Sequence, residues 1–295
     1  MSYSFTETQR DKIIERWGKD FYAELLSHFE VYPEKWRLSD FELVEYYSSG
    51  AIFFCKSELY GDCVLKIYCE DFEYDTLCEY NGRCFVKAFE HENDIILMER
   101  AIPGKMLREE SSLEKRLSVF SDLFNGLHIA PKNPEIYNFY ADSVIESADY
   151  IINKRQDNKE LYDHALKAKD IYLEMTYIYN RKMLIHGDLH YENIISCGSG
   201  KYKIIDPISY IGDPVFDIGK YISIEYRKAD SEIRLSIVDK IIDYFEMSLK
   251  IPKKILKQCF YITIIIHNCI VVKYGGLANM DDVRFAETVL DKIEY

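Results

Sequence analysis

The sequence predicts an α+β protein in two parts, a small antiparallel sheet followed by a mainly helical region. Short apolar runs separated by turn residues fill the chain between residues 41 and 100, whereas apolar positions recur at helical spacing over most of the chain after residue 100. At 295 residues the chain is longer than one hydrophobic core usually serves. We therefore expect two lobes, residues 1–100 and residues 101–295.

The first part should begin with a helix and continue as strands. Residues 8–30 repeat apolar positions at the helical period. From Phe41, the segments FELVEYYS, AIFFCKSE and CVLKIYC predict a three-strand meander, because Ser49-Gly50 and the stretch LYGD between them are turn formers. A short helix, FEYDTLCEY, and two further strands, CFVKAFE and DIILMER, should complete this part.

The second part should consist mostly of helices. Ser111 and Glu114 fit a capping box ahead of the segment LEKRLSVFSDLFNGLH, and residues 136–153 and 159–179 continue the helical period. The apolar segment from Cys259 to Val272 is interrupted by polar residues and is too short to span a bilayer, so it should be a buried helix.

A polar loop and a hairpin interrupt these helices. The segments NII and YKIID flank the turn Cys197-Gly198-Ser199-Gly200, so they should be the two arms of a hairpin. Asn193 would then face Asp206 across the hairpin mouth. An amide oxygen and a carboxylate are hard ligands that Mg²⁺ shares with nucleotide phosphates. Asp188, five residues before Asn193, is placed to accept a proton from a hydroxyl that attacks the γ-phosphate.

The motifs around this loop resemble those of kinases. HGDLHYEN, residues 186–193, resembles the kinase catalytic loop H-R-D-L-x-x-x-N with Gly in place of Arg, and Ile205-Asp206-Pro207 stands where protein kinases have D-F-G. The H-G-D-L-H form with I-D-P is typical of the aminoglycoside phosphotransferase family. YNGRCFVKAFE, IILMERAIPG and IDPISYIGDPVFDIGKYI together resemble its subgroup of aminoglycoside 6-phosphotransferases and hydroxyurea phosphotransferases.

This resemblance implies a protein-kinase-like two-lobed fold that binds ATP and Mg²⁺ between a sheet lobe and a helical lobe. It implies that Asp188 is the catalytic base and that Asn193 and Asp206 are the magnesium ligands. Lys66 in VLKI resembles the strand lysine that contacts the α- and β-phosphates, and Glu73 resembles its helix partner.

The same resemblance suggests further contacts for the nucleotide. Glu99 and Ala101 in MERA match the hinge whose backbone binds adenine, and Ser49 and Gly50 lie in the turn that would cover the phosphates. His190 stands where kinases often have a lysine near the transferred phosphate. Outside this set, Asp217 is expected to brace the catalytic loop rather than to take part in the chemistry.

The acceptor should be a small molecule with a hydroxyl. Only ten residues separate Asp206 from Asp217, which leaves no room for an activation loop, and Gly187 removes the arginine that would bind a phosphorylated one. The resemblance favours an aminoglycoside-type antibiotic such as streptomycin, or hydroxyurea, and hence antibiotic resistance. Two alternatives remain: a metabolic kinase for a sugar, amino alcohol or amino acid, and a non-catalytic nucleotide-binding module.

The composition limits which binding partners and which cellular compartment are expected. The net charge of −13 argues against nucleic acid as a partner, because phosphate backbones favour basic surfaces. The first residues carry charges where a signal peptide needs an apolar core, and the eight cysteines form no Cys-x-x-Cys pair. We therefore expect a cytoplasmic protein with reduced thiols and no membrane contact, and nothing in the sequence implies a protein partner.

Overall fold

The structure, a computed structural model, describes residues 3–44, 50–68 and 71–292. Its contacts divide the chain into two compact units. The first is Met1–Gly104 together with Ser196–Ile205, and the second is Lys105–Ile195 together with Asp206–Tyr295. Ser196–Ile205 therefore belongs with the first unit, although it lies far beyond the boundary expected near residue 100.

A five-stranded antiparallel sheet forms the centre of the first unit, in the order β1-β2-β3-β5-β4. Its strands are β1 Leu38–Val44, β2 Ala51–Ser57, β3 Gly61–Ile67, β4 Ala88–Glu92 and β5 Ile95–Glu99, and its helices are α1 Glu7–Lys35 and α2 Asp71–Tyr80. The meander and the additional strand pair predicted from the sequence are confirmed. The end of the first predicted strand, residues 45–48, lies outside the described residues.

The leading helix α1 covers one face of this sheet. Thr6 begins the helix with a capping box, because its hydroxyl accepts from the N–H of Gln9 while the Gln9 side chain accepts from the N–H of Thr6. Phe21, Leu25 and Phe29 of α1 are buried in one core with the apolar residues of β2 and β3. Burial of these side chains is the main force that holds the helix on the sheet.

The segment Ser196–Ile205 joins the first unit through its backbone. The N–H of Ile204 donates to the carbonyl of Cys84 at 2.8 Å, and the N–H of Val86 donates to the carbonyl of Ile204 at 3.1 Å. The N–H of Gly104 donates to the carbonyl of Ser196 at 3.0 Å. These bonds satisfy backbone groups on both segments, which is why they cluster together although they are far apart in sequence.

The second unit is mainly helical. Its helices are α3 Leu113–Leu127, α4 Tyr140–Lys154, α5 Lys159–Thr176, α6 Val215–Glu225, α7 Arg234–Leu249, α8 Lys253–Lys273 and α9 Met280–Asp291. A small sheet pairs β6 Asn138–Phe139, β10 Tyr210–Gly212 and β7 Met183–Ile185 in that order. The predicted hairpin is present as β8 Ile194–Ser196 and β9 Tyr202–Ile204.

Two helix starts differ from the sequence prediction. The cap of α3 is Ser112, not Ser111: the Ser112 hydroxyl accepts from the N–H of Lys115 at 3.2 Å, and its carbonyl accepts from the N–H of Arg116 at 3.1 Å. Two adjacent serines offered the same cap, and the helix uses the second. The helix expected from residue 136 begins at Tyr140, because a 3₁₀ turn and the short strand β6 precede it.

Helix α8 is buried, as its composition predicted. It is long and apolar enough to cross a membrane by length and composition alone, but 72% of its most apolar window is buried inside the molecule. Gly219 of α6 allows α6 and α8 to approach closely, since a Cβ there would lie 2.4 Å from the carbonyl oxygen of Cys259. The polar Asn268 is satisfied inside, where it donates to the carbonyl of Ile264 and accepts from the N–H of Asn279.

Candidate active site

A buried carboxylate holds the loop of residues 186–193 in place. Asp217 of α6 accepts from the N–H of His186 at 3.0 Å and from the N–H of Gly187 at 2.8 Å, and it contacts His128 Nε2 at 2.9 Å. Burial would raise the pKa of Asp217, but the bond to His128, the charges of His128 and His186 and the bond from the His186 backbone together outweigh burial and hold the pKa below its usual value. Asp217 braces the backbone just before Asp188, as the sequence analysis expected.

Asp188 lies on this loop between two basic side chains. Its Oδ1 atom is 2.7 Å from Lys220 Nζ, and its Oδ2 atom is 3.3 Å from His190 Nε2. Burial would raise the pKa of Asp188, but the hydrogen bond from His190 and the charge of Lys220 outweigh burial and lower the pKa to about 2. Asp188 is therefore ionised at neutral pH and able to accept a hydrogen bond from a hydroxyl.

The tautomer of His190 follows from its second contact. Its Nδ1 atom accepts from the N–H of Glu192 at 3.2 Å, so a neutral ring carries its proton on Nε2. That nitrogen is the one that faces Asp188. His190 therefore presents a donor toward the carboxylate and the space next to it.

Lys220 is a site residue that the sequence analysis missed. It lies on α6, three residues after Asp217, so the two side chains project from the same side of the helix. Asp217 reaches the loop backbone, and Lys220 reaches the Asp188 carboxylate. The motif DIGK contained this signal, since a residue one turn beyond a bracing acid reaches the same loop.

The two residues predicted to hold magnesium both offer oxygen atoms. Asn193 is buried, and its Nδ2 atom donates to the carbonyl of Asp188 at 3.0 Å. Because that carbonyl requires a donor, the amide orientation is fixed and Oδ1 is left as the ligand atom. Asp206 follows β9 with an exposed side chain and a φ of +60°, a region in which Asp is tolerated better than most residues. This donor set fits Mg²⁺, which prefers hard oxygens.

In the first unit, the structure brings Lys66 and Glu73 together. Lys66 Nζ on β3 lies 2.5 Å from Glu73 Oε2 on α2, and both side chains are buried. A buried ammonium without a carboxylate would be expensive, because its charge would lose water without gaining a partner. The pair therefore fixes the direction of the Lys66 side chain.

The predicted phosphate turn is described only in part. Ser49 lies outside the described residues. Gly50 directly precedes β2, and a Cβ there would lie 2.2 Å from the carbonyl oxygen of Ile67. The close approach of β2 to the end of β3 therefore requires glycine at this position, independently of any ligand.

The two residues of the predicted hinge differ in whether their backbone groups form hydrogen bonds within the protein. The N–H of Glu99 is used inside the sheet, where it donates to the carbonyl of Lys87 at 2.8 Å. The Glu99 carboxylate also accepts from the N–H of Lys87 and from Lys203. Ala101 makes no backbone hydrogen bond within the described residues, so its N–H and carbonyl remain available to a ligand.

The requirement for glycine at position 187, where the kinase motif has arginine, is steric. Its φ is +80°, and a Cβ there would lie 2.6 Å from Cδ2 of Tyr210. The aromatic ring that follows the I-D-P motif thus occupies the space that a side chain at position 187 would need. A residue larger than glycine would displace either the ring or the loop.

Comparisons with known proteins agree with these motifs. The family described as aminoglycoside/hydroxyurea antibiotic resistance kinase matches residues 63–267, more than half of the chain. Streptomycin 6-kinase of Streptomyces griseus is 26% identical over 147 residues, which make up 47% of this chain and 46% of that protein. The match thus spans less than half the length of that curated relative.

Solved structures share the fold at low sequence identity. A mutant of aminoglycoside phosphotransferase APH(4)-Ia, in ternary complex with ADP and hygromycin B, gives a TM-score of 0.60 at 15% identity over 89% of this chain and 96% of that chain. Choline kinase LicA from Streptococcus pneumoniae gives 0.60 at 14% identity over 91% and 99%. Ethanolamine kinase from Plasmodium vivax gives 0.60 at 12% identity over 98% and 94%.

These structural likenesses show the fold alone, and they confirm the kinase-like fold that the sequence predicted. The family match confirms the resemblance drawn from the catalytic loop and the I-D-P motif. The protein belongs to the aminoglycoside/hydroxyurea antibiotic resistance kinase family.

Proposed function

We propose that this protein is an ATP- and Mg²⁺-dependent kinase that transfers the γ-phosphate to a hydroxyl of an aminoglycoside-type antibiotic, of which streptomycin is the first candidate, or of hydroxyurea. The observation that supports it best is Asp188, an ionised carboxylate on a braced loop beside Lys220 and His190. Membership of an antibiotic resistance kinase family and similarity to a streptomycin 6-kinase favour an antibiotic acceptor.

Asp188 would orient the acceptor hydroxyl and accept its proton as the phosphate bond forms. A carboxylate with a pKa of about 2 is a weak base, so orientation is the larger part of its contribution. Lys220 would keep the carboxylate ionised and in place. His190 would direct its Nε2 proton toward the oxygens of the transferred phosphate, where negative charge must be balanced.

The nucleotide would be bound by the residues of the first unit. Lys66, held by Glu73, would contact the α- and β-phosphates, and the turn at Ser49 and Gly50 would cover them. The backbone of Glu99 and Ala101 would bind the adenine. The ADP and AMP-PNP in structures of an aminoglycoside phosphotransferase with the same fold support an adenine nucleotide as the donor.

Asn193 and Asp206 would hold Mg²⁺. When bound, the ion neutralises charge on the phosphate oxygens and fixes their orientation. Within the protein, the hydrogen bond from Asn193 to the Asp188 carbonyl ties the metal-binding side chain to the residue that orients the acceptor. A single loop would therefore set both positions.

The test is acceptor-dependent release of ADP from magnesium-ATP. The panel contains streptomycin, other aminoglycosides, hydroxyurea, and common sugars and amino alcohols, with Asp188→Asn as the blank. We expect strong stimulation by an aminoglycoside or by hydroxyurea in the wild type and loss of that stimulation in the variant. Stimulation by a metabolite alone would keep the mechanism and overturn the antibiotic role.

Nucleotide binding supplies the matched control. Asp206→Asn should weaken binding of magnesium-ATP, whereas Asp188→Asn should leave it nearly unchanged, because Asp188 acts on the acceptor. Glu192→Gln neutralises another carboxylate of the same loop, which pairs with Arg108 at 2.8 Å, and should keep turnover. Near-normal turnover in Asp188→Asn would disprove the proposed base. Binding of nucleotide without turnover on any acceptor would favour a non-catalytic module.

A further inference from the structure

Three side chains of the kinds that bind metal ions meet in the first unit. Glu24 and His28 lie on α1 one helical turn apart, so they project from the same face of the helix. Asp94 lies in the turn between β4 and β5. Each residue offers one ligand atom, and among the described residues these three atoms lie within 4.8 Å of one another. None of the three belongs to the kinase motifs.

The ring of His28 has a buried nitrogen, Nε2, that forms no hydrogen bond within the described residues. The side chain as a whole is 14% exposed, so the ring lies near the surface while this atom is shielded from water. A buried polar atom normally has a hydrogen-bond partner or a bound ion, because otherwise it loses water without compensation. The nitrogen therefore points to a ligand.

The distance between His28 and Asp94 fits two ligands of one ion better than a direct contact. His28 Nε2 lies 3.6 Å from Asp94 Oδ1, which is too far for a hydrogen bond. The buried pair of His128 and Asp217, in contrast, closes to 2.9 Å. Ligand atoms lie about 2.0–2.2 Å from a tetrahedral zinc ion, so two of them are about 3.3–3.6 Å apart. An ion between the two side chains would satisfy both atoms.

The two carboxylates have no lysine or arginine to neutralise them. Neither Glu24 nor Asp94 forms an ion pair with such a residue within the described part of the chain. Two carboxylates and a neutral imidazole carry two negative charges, which one divalent cation would balance. Glu24 is exposed, so an ion can enter from solvent and water can complete its coordination.

Tyr68 holds both acidic residues in position. Its hydroxyl donates to Glu24 Oε2 at 3.1 Å, and its N–H donates to the carbonyl of Asp94 at 2.6 Å. A carboxylate has two oxygens, so Glu24 can accept this bond and still bind an ion. Hydrogen bonds of this kind are usual around metal sites, because they orient the ligands.

We propose that Glu24, His28 and Asp94 bind a divalent transition-metal ion at a site separate from the proposed magnesium site. The imidazole sets the preference, since its nitrogen suits Zn²⁺, Cu²⁺, Ni²⁺ and iron, whereas Mg²⁺ and Ca²⁺ take oxygen ligands. The bound ion ties α1 to the turn between β4 and β5 and so fastens the helix to the sheet. This role does not depend on the proposed kinase activity.

Zinc binding to the intact, chelator-treated chain tests the proposal. Calorimetric titration with Zn²⁺ in excess Mg²⁺ should show one zinc ion bound per chain, and added zinc should raise the unfolding temperature. His28→Gln removes the ligand nitrogen and should weaken zinc binding by at least about 100-fold, since loss of a group that merely orients a ligand costs about 10–100-fold. Glu24→Gln changes an exposed side chain, which the fold should tolerate, and should weaken binding by at least about tenfold.

The control variants remove other groups that could bind zinc. Asp206→Asn alters the proposed magnesium site, Cys78→Ser removes an exposed thiol, and His91→Gln removes another histidine of the first unit. All three should bind zinc as the wild type does and should show the same rise in unfolding temperature.

Four results would overturn the proposal. The first is the absence of zinc binding by the wild type, and the second is equal zinc affinity in the wild type, His28→Gln and Glu24→Gln. The third is loss of binding in Asp206→Asn or Cys78→Ser, which would assign the ion to the magnesium site or to the thiol. The fourth is displacement of zinc by an equal concentration of Mg²⁺, which would contradict the preference for a transition metal.

Discussion

Asp188 lies within the loop of residues 186–193 and Asp217 holds that loop from helix α6, and the two carboxylates differ in what surrounds them. The Asp217 side chain is fully buried and accepts from two backbone N–H groups, whereas the Asp188 side chain is 27% exposed and is held by two side chains. Both pKa values lie below their usual range. A lowered pKa therefore does not by itself identify a reactive acid, and the exposure of the carboxylate to a ligand must be considered as well.

Asp188→Asn should give the largest effect on function. The amide cannot accept the hydroxyl proton, so turnover should fall by about 10²- to 10⁴-fold, as is usual when a general base is removed. Stability should change by no more than about 1 kcal/mol, because the ion pair with Lys220 is partly exposed. Steady-state kinetics and urea unfolding of the same sample measure both. A large loss of stability would mean that Asp188, like Asp217, is a brace.

Asp217→Asn should show the reverse pattern, with its primary effect on stability. An amide placed there turns an NH₂ group toward backbone donors that now lack an acceptor, which should cost about 2–4 kcal/mol. Urea unfolding with Asp230→Asn, an exposed acid, as the control measures the difference. A change below about 1 kcal/mol would contradict the bracing role.

Gly187→Ala should have the next largest effect on the free energy of unfolding. The positive φ alone costs a non-glycine residue about 1–2 kcal/mol, and the contact with Tyr210 adds strain. In a Tyr210→Ala background the steric part should disappear and the backbone part should remain. A double-mutant cycle of unfolding free energies separates the two parts. Equal costs in both backgrounds would show that the ring does not restrict this position.

The smallest effect should be a change in the pH dependence of stability in Lys220→Met. The depressed pKa of Asp188 means that its ionised form stabilises the fold above about pH 4 and that this stabilisation is lost as the pH falls toward about 2. Without the ammonium the pKa should rise toward the ordinary value of 3.8, so the loss begins at higher pH. NMR titration of the Asp188 carboxyl group in the wild type and in Lys220→Met measures this pKa. An unchanged pKa would assign the whole depression to His190.

Much of the site was predictable because its residues lie in one motif. Asp188, His190 and Asn193 are close in sequence, so their spacing already fixed their proximity, and the hairpin signal placed Asp206 at its mouth. The roles of Lys66 and Glu73 came from the resemblance to kinases. Local order along the chain, which hydrophobic period and turn residues specify well, predicted only the strand and the helix that carry them and the hairpin.

The features that escaped prediction depend on tertiary packing. Lys220 contacts Asp188 only because α6 lies beside the loop, and no spacing between residues 188 and 220 records this. The strands β6 and β10 have two and three residues, too few to show a period. The choice of Ser112 over Ser111 as the cap of α3 could not be read from two adjacent serines.

The membership of Ser196–Ile205 in the first unit bears on how the protein is made. During synthesis the sheet and its two helices emerge long before Ile204, whose backbone pairs with Cys84 and Val86. Until Ile204 has left the ribosome, those two groups cannot form these bonds. The first unit therefore cannot be completed in the order of translation.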